Sequence, residues 1–188
     1  MEKFDKEEIV HLTEEYGGQW GLNHTRRLLH LISIIGEGRE YNADVVWIAA
    51  HLHDWGGYPK WAQAGVDHAL RSRQVAEEFL VGKGLVLDFL TPILECIEFH
   101  HGSDPHRRIE ALLLSDADAL DFLGVVGVLR DFAKKPGDLR KAYEVVQSRK
   151  EKLRQSICLD SSKAIAARRL ETMERVLVTF EEETFGYF

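Results

Sequence analysis

A chain of 188 residues, 45% of them hydrophobic, can bury the core of one ordinary domain and is too apolar for intrinsic disorder. Its net charge of −7 excludes a general nucleic-acid surface, which needs clustered lysine and arginine, but leaves room for a local basic pocket around a small phosphate ester. Two cysteines, Cys96 and Cys158, exclude a disulfide framework and a cysteine-rich zinc site, so a cytoplasmic chain with free thiols is expected.

The charged start Met1-Glu2-Lys3-Phe4-Asp5 lacks the apolar core of a signal peptide. Apolar residues at three- and four-residue spacing then predict a first helix over 6–16, closed by Gly17-Gly18. A second helix begins near Asn23, its candidate N-cap, and carries Leu28, Leu31, Ile32 and Ile35 up to Gly36. The third runs from about Asn42 through Leu52 to Gly56-Gly57, the fourth over 66–80, and the fifth over 86–101, stopped by Gly102. A sixth follows Pro105 and passes Leu112, Leu113, Ala117, Leu120 and Leu123; the pattern leaves open whether it continues to Arg130. The longest apolar run, 122–129, is far short of the roughly 20 residues that span a bilayer, so no membrane partner is expected. After Pro136-Gly137 two charged amphipathic helices, 138–156 and 161–183, form a C-terminal extension expected to pack on the core. The whole chain, 1–188, reads as one all-α domain.

Nine histidines and a few acidic residues on apolar faces carry the chemistry. His53-Asp54 stands just before Gly56-Gly57, where the free carbonyls of a helix end favour a cation. His24 shares a face with Leu28 and Leu31, and Asp118 shares one with Leu114 and Phe122. A carboxylate on an apolar face is costly unless it is paired or binds a metal. Two imidazoles and two carboxylates would form a mixed nitrogen and oxygen site that leaves an anionic substrate unrepelled.

The order His24, His53-Asp54, Asp118 resembles the signature of the HD superfamily. The segments His24-Thr25-Arg26-Arg27-Leu28, His68-Ala69-Leu70-Arg71-Ser72 and Asp116-Ala117-Asp118-Ala119-Leu120-Asp121 resemble its blocks, as does 122–130. The likeness spans about 22–132 and continues more weakly over 161–183. It implies an HD-domain helical bundle, a metal-dependent phosphohydrolase in which His24, His53, Asp54 and Asp118 bind the first ion, with Asp116 as rival for the last position. His68, His100 and His101 fall where some branches hold a second ion, with Asp116 a further candidate for that ion or for substrate; hydrogen bonding to substrate or helix capping is the alternative for the histidines. Arg27, Arg71, Lys60 and Arg130 are candidate phosphate clamps. Trp55 and Trp61 serve the core or stack on a base, whereas His11, His30, His51 and His106 have structural or surface roles.

Several nucleotide-cleaving branches carry an acidic residue shortly after the His-Asp pair. Here Trp55, Gly56, Gly57 and Tyr58 stand in its place, which moves the burden to water activated by the metal at Asp54, with no separate base. The expected ion is manganese, iron, cobalt, nickel or magnesium, one or two per chain, and the expected partner is a small phosphorylated substrate, a nucleotide foremost. The rival readings are an HD-type diiron oxygenase and a non-catalytic nucleotide sensor.

Overall fold

Short polar side chains start half of the helices. Asp5 accepts from the N–H groups of Glu7 and Glu8, Asn42 from Asp44 and Val45, Asp67 from Ala69 and Leu70, and Asp138 from Lys141. In the computed structural model, which describes residues 5–188, eight helices follow: α1 (Lys6–Ile35), α2 (Ala43–Leu52), α3 (His68–Gly82), α4 (Leu87–Glu98), α5 (Ile109–Phe122), α6 (Val125–Lys134), α7 (Leu139–Ser156) and α8 (Asp160–Thr184). A 3-10 turn, Trp55–Gly57, joins α2 to the loop before α3, and the described residues contain no strand. Four of the five residues read for a signal peptide, 1–4, lie outside the described residues.

The structure corrects several boundaries. The first two predicted helices are one element, α1, because only Gly18 departs from helical geometry (φ 63°, ψ −173°), a backbone state that favours glycine. The glycine pair therefore re-aims the helix rather than ending it. Asn23 is inside α1 and caps nothing; its Oδ1 accepts from Arg26 at 3.2 Å. Gly124 (φ 87°) separates α5 from α6, which answers the question left open at Leu123. The fifth helix stops at Glu98, so His100 and His101 stand in the turn beyond it.

The central element is α5. Residues 110–121 are all buried, since α1, α2 and α4 pack against one part of its surface and α6, α7 and α8 against another. Leu28 and Ile32 of α1, Ile48 of α2, Ile93 and Ile97 of α4, and Leu113 and Leu120 of α5 belong to one apolar cluster. Val146 of α7 and Met173 and Leu177 of α8 join the same cluster, which places the extension directly on α5. No helix among the described residues is long and apolar enough to cross a membrane.

Asp116 shows how that packing is held. Its Oδ1 accepts from the N–H of Cys158 at 2.9 Å and its Oδ2 from Leu159 at 2.8 Å, so both oxygens are spent on the elbow between α7 and α8. The rival ligand is thus a structural anchor, directed away from Asp118 by the ~200° that two residues turn on a helix. Asp116→Ala would leave two backbone donors without an acceptor and should lower stability by about 1–3 kcal/mol in urea unfolding while leaving metal content unchanged.

Candidate metal centre

The chain leaves α2 at His53, the C-cap residue, and Asp54 follows in a turn. On a continuing helix these neighbours would diverge by about 100°. Here Asp54 Oδ2 lies 3.5 Å from His53 Nε2 and 3.8 Å from His24 Nε2. Asp118 Oδ1 lies 3.2 Å from His24 Nε2 and 4.0 Å from His53 Nε2.

Each buried imidazole is oriented through its other nitrogen. His24 Nδ1 donates to Asp121 Oδ2 at 2.7 Å, His53 Nδ1 to the Ala50 carbonyl at 2.9 Å, and His100 Nδ1 to the Ile97 carbonyl at 2.6 Å. Acceptors at Nδ1 fix the tautomer that leaves Nε2 with its lone pair free for a metal. All three rings are buried, and Nε2 of His24, His53 and His100, together with Asp118 Oδ1, have no hydrogen-bond partner. Such orphaned atoms are costly in a protein interior. The ligand atoms of His24, His53 and Asp118 lie within 4.8 Å of one another, so one divalent cation can satisfy them together, with Asp54 beside them. The residues fit a metal.

A second nest adjoins the first. His68 Nε2 and His101 Nε2 are 2.9 Å apart, and His100 completes a group with ligand atoms within 4.8 Å of each other. Asp54 Oδ1 points to His68 at 3.9 Å, while Asp118 Oδ2 faces His101 at 3.6 Å. Both carboxylates therefore present one oxygen to each nest. Gly56 makes this possible: a Cβ there would stand 2.2 Å from the Ser72 amide nitrogen and 2.7 Å from the His68 carbonyl oxygen. Its N–H instead donates to Ser72 Oγ at 2.9 Å, seating the 3-10 turn on the first turns of α3, where His68 begins the helix.

Ionisation follows the same geometry. Burial lowers the basicity of His24, but the flanking Asp118 and Asp121 carboxylates outweigh it and push the imidazole up to about 9. Burial, followed by neighbouring His53 and His101, pushes His100 down to about 3 and keeps it neutral. Asp121 is buried, which alone would raise it; hydrogen bonds from His24 and Arg27 hold it at about 2.

The expected phosphate clamps are redistributed. Arg27 is committed to Asp121 through Nε at 2.6 Å and Nη2 at 2.9 Å; Arg71 donates to the Trp61 carbonyl and to Gln74; Lys60 sits over the Tyr16 ring. None of the three lines the pocket of about 500 Å³ that opens over the two nests. Arg130 does line it, with Nη1 donating to Asp121 Oδ2 at 2.9 Å and a buried Nε that has no partner. Trp55 and Trp61 stack on each other inside the fold. The sequence offers Asp121 only as another possible ligand in place of Asp118; its part in holding His24, Arg27 and Arg130 emerges from the packing. Lys134, Arg149 and Lys152, which also line the pocket, gave no signal in the sequence.

Residues 21–123 match the family model described as the HD domain. A ribonuclease Y of Symbiobacterium thermophilum is 30% identical over 138 residues, 72% of this chain, while the chain spans only 22% of that relative's length. The fold is similar to that of Bacillus subtilis YpgQ in complex with ADP (TM-score 0.72, 22% identity, covering 94% of this chain and 93% of that one). It is likewise similar to an HD-superfamily hydrolase of Bacillus thuringiensis (TM-score 0.71, 20% identity, covering 94% and 95%).

Three outcomes follow from the His24 network. A metal bound at Nε2 must displace the proton that Asp118 and Asp121 retain below about pH 9, so metal affinity should rise close to tenfold per pH unit from 7 towards 9. Without metal, the same raised value stabilises the fold below about pH 6.5 and is lost as pH rises through 9, which thermal unfolding with and without ion would show. Asp121→Asn should weaken metal binding about 10–100-fold in calorimetric titration, with helical content retained, since it removes the negative charge beside His24 and turns one of the two acceptor oxygens into a donor.

Proposed function

Because the chain belongs to the HD domain family, we propose that it is a metal-dependent phosphohydrolase of a small phosphorylated substrate, with nucleotides as the leading class. The observation that carries this reading is the set of three buried, unpartnered imidazole nitrogens facing two carboxylates at the floor of a pocket. His24, His53, Asp54 and Asp118 would hold one divalent ion, and His68, His100 and His101 a second, with each carboxylate turned to both. Ions so bound polarise a phosphoryl oxygen and lower the pKa of water. The mixed donor set suits manganese, iron, cobalt, nickel or magnesium.

The protein's own groups do the rest. Arg130 is held by Asp121 and lines the pocket, so its guanidinium can donate to a phosphoryl oxygen where charge builds up. His101, about half exposed at 45%, is the side chain through which a proton can pass between site and solvent. Trp20, 48% exposed and on the pocket wall, is available to stack on a base. A nucleotide is further supported by the ADP complex of YpgQ and by the name ribonuclease Y, while the net charge of −7 favours a small molecule over a nucleic-acid polymer. The three histidines of the second nest also favour a diiron oxygenase as the second reading; turnover that depends on oxygen and on bound iron would select it.

The test is metal analysis of the purified protein followed by a phosphatase screen with each candidate ion. His53→Ala and Asp54→Ala should each lose metal and cut activity by more than the roughly 10–100-fold that a supporting residue costs, with unchanged circular dichroism. Retained metal in both variants would refute the site. The wild type should take up two manganese ions and a His68→Ala, His100→Ala variant one; a wild type that never exceeds one ion removes the second nest from the mechanism.

A further inference from the structure

The extension made by α7 and α8 does more than pack on the core. Arg149, Lys152, Leu153 and Ser156 of α7 and Lys134 of α6 form a wall of the pocket that holds His24, Asp54 and Asp118. Phe122 links the two sides. Its ring lies 5.7 Å from that of His24, with the guanidinium of Arg130 over it at 4.1 Å and that of Arg149 at 4.8 Å.

The charges of this wall are unequal in their commitments. Arg130 is paired with Asp121 and Arg149 with the buried Asp131. Lys134 and Lys152 have no carboxylate within 4 Å among the described residues. Partial burial, with the Arg149 and Arg130 charges beside it, even lowers the basicity of Lys134. Solvated surface lysines are ordinary. Two uncompensated lysines that line one pocket, in a chain of net charge −7, are a local excess that an anion would neutralise.

A shallow groove along the surface of α7 borders the pocket at Arg149 and Lys152; Val145, Ser148 and the ion pair of Lys141 with Glu144, 3.6 Å apart, line the rest of it. The wall is firmly mounted: Asp116 holds the α7–α8 elbow, Ser161 Oγ donates to the Ile35 carbonyl at 2.9 Å, and Arg169 donates to the Leu120 carbonyl.

We propose that Lys134 and Lys152, supported by Arg149, form a subsite for a phosphoanhydride chain, so that the substrate carries at least one phosphate beyond the phosphoryl group at the metal centre. This rests on the phosphohydrolase reading above. A single phosphate is fully served by the metal nests and Arg130, which leaves the lysines without a role; a di- or triphosphate engages both ends of the pocket. The chain of phosphates can belong to inorganic polyphosphate or to a nucleoside polyphosphate, since the lysines meet only the shared phosphates.

The experiment compares manganese-loaded wild type with a Lys134→Ala, Lys152→Ala variant in calorimetric titrations with orthophosphate, inorganic tripolyphosphate and ATP. Metal content is measured after each titration, so that removal of the ion is told apart from binding. In the variant, tripolyphosphate and ATP should each bind about tenfold or more weakly, with orthophosphate changed by less than about twofold and metal content kept. Lys134→Arg, Lys152→Arg should restore the affinity and guards against a folding defect. A tripolyphosphate loss without an ATP loss assigns the subsite to inorganic chains; losses in both assign it to the shared phosphates. Equal losses for all three anions, or no loss for any, would overturn the subsite. Failure of wild type to bind orthophosphate or hydrolyse any phosphate ester would instead overturn the phosphohydrolase reading.

Discussion

Everything polar on α5 must find a partner, because residues 110–121 are buried on all sides. An unpaired carboxylate in such a place is not tolerated. The helix resolves this by sending each polar group in a different direction. Glu110 accepts from the Asn42 N–H at the start of α2, Ser115 donates to the Gly102 carbonyl after the histidine pair, and Asp116 holds the α7–α8 elbow. Asp121 gathers His24, Arg27 and Arg130. Asp118 alone keeps a buried oxygen without a hydrogen-bond partner, and that oxygen is turned to the imidazoles of His24 and His53. The candidate site and the architecture are thus two results of one burial constraint.

Much of this was legible in the sequence. Three- and four-residue apolar spacing locates nearly every helix, and the set His24, His53-Asp54, Asp118 comes together as the resemblance implied. What escaped has physical reasons. Gly17-Gly18 looks like a stop because glycine ends helices, but the kink at Gly18 depends on packing around α1 that no local pattern encodes. Asp116 and Asp118 are the same residue type two positions apart, and only the position of the α7–α8 elbow tells anchor from candidate ligand. Arg27 stands beside His24 in sequence yet turns to Asp121, whereas Lys134 and Lys152 reach the pocket from elements more than a hundred residues away from His24.

The same contacts connect extension and centre in both directions. A carboxylate of α5 grips the elbow of the extension, and the extension returns cations to the pocket that α5 floors. The helices therefore do not divide into a chemical half and a structural half. A disturbance at the elbow would be felt as a change in pocket charge, through displacement of Arg149 and Lys152, before it reached the imidazoles, whose orientation is fixed separately by Asp121, Ala50 and Ile97.

Gly56 carries a consequence of a different kind. With the Ser72 and His68 backbone pressed against its Cα, no side chain of any sort fits at that position. The adjacent Trp55 is fully enclosed and stacked on Trp61, and Tyr58 is fitted against Gly17 and Gly21. The four residues after the His-Asp pair, 55–58, are thus taken up by contacts that join the turn to α1 and α3. A side chain at position 56 would have to push the first turn of α3 away, and His68 with it. How closely two backbones approach at Gly56 thus sets how near His68 stands to Asp54, 3.9 Å in this fold.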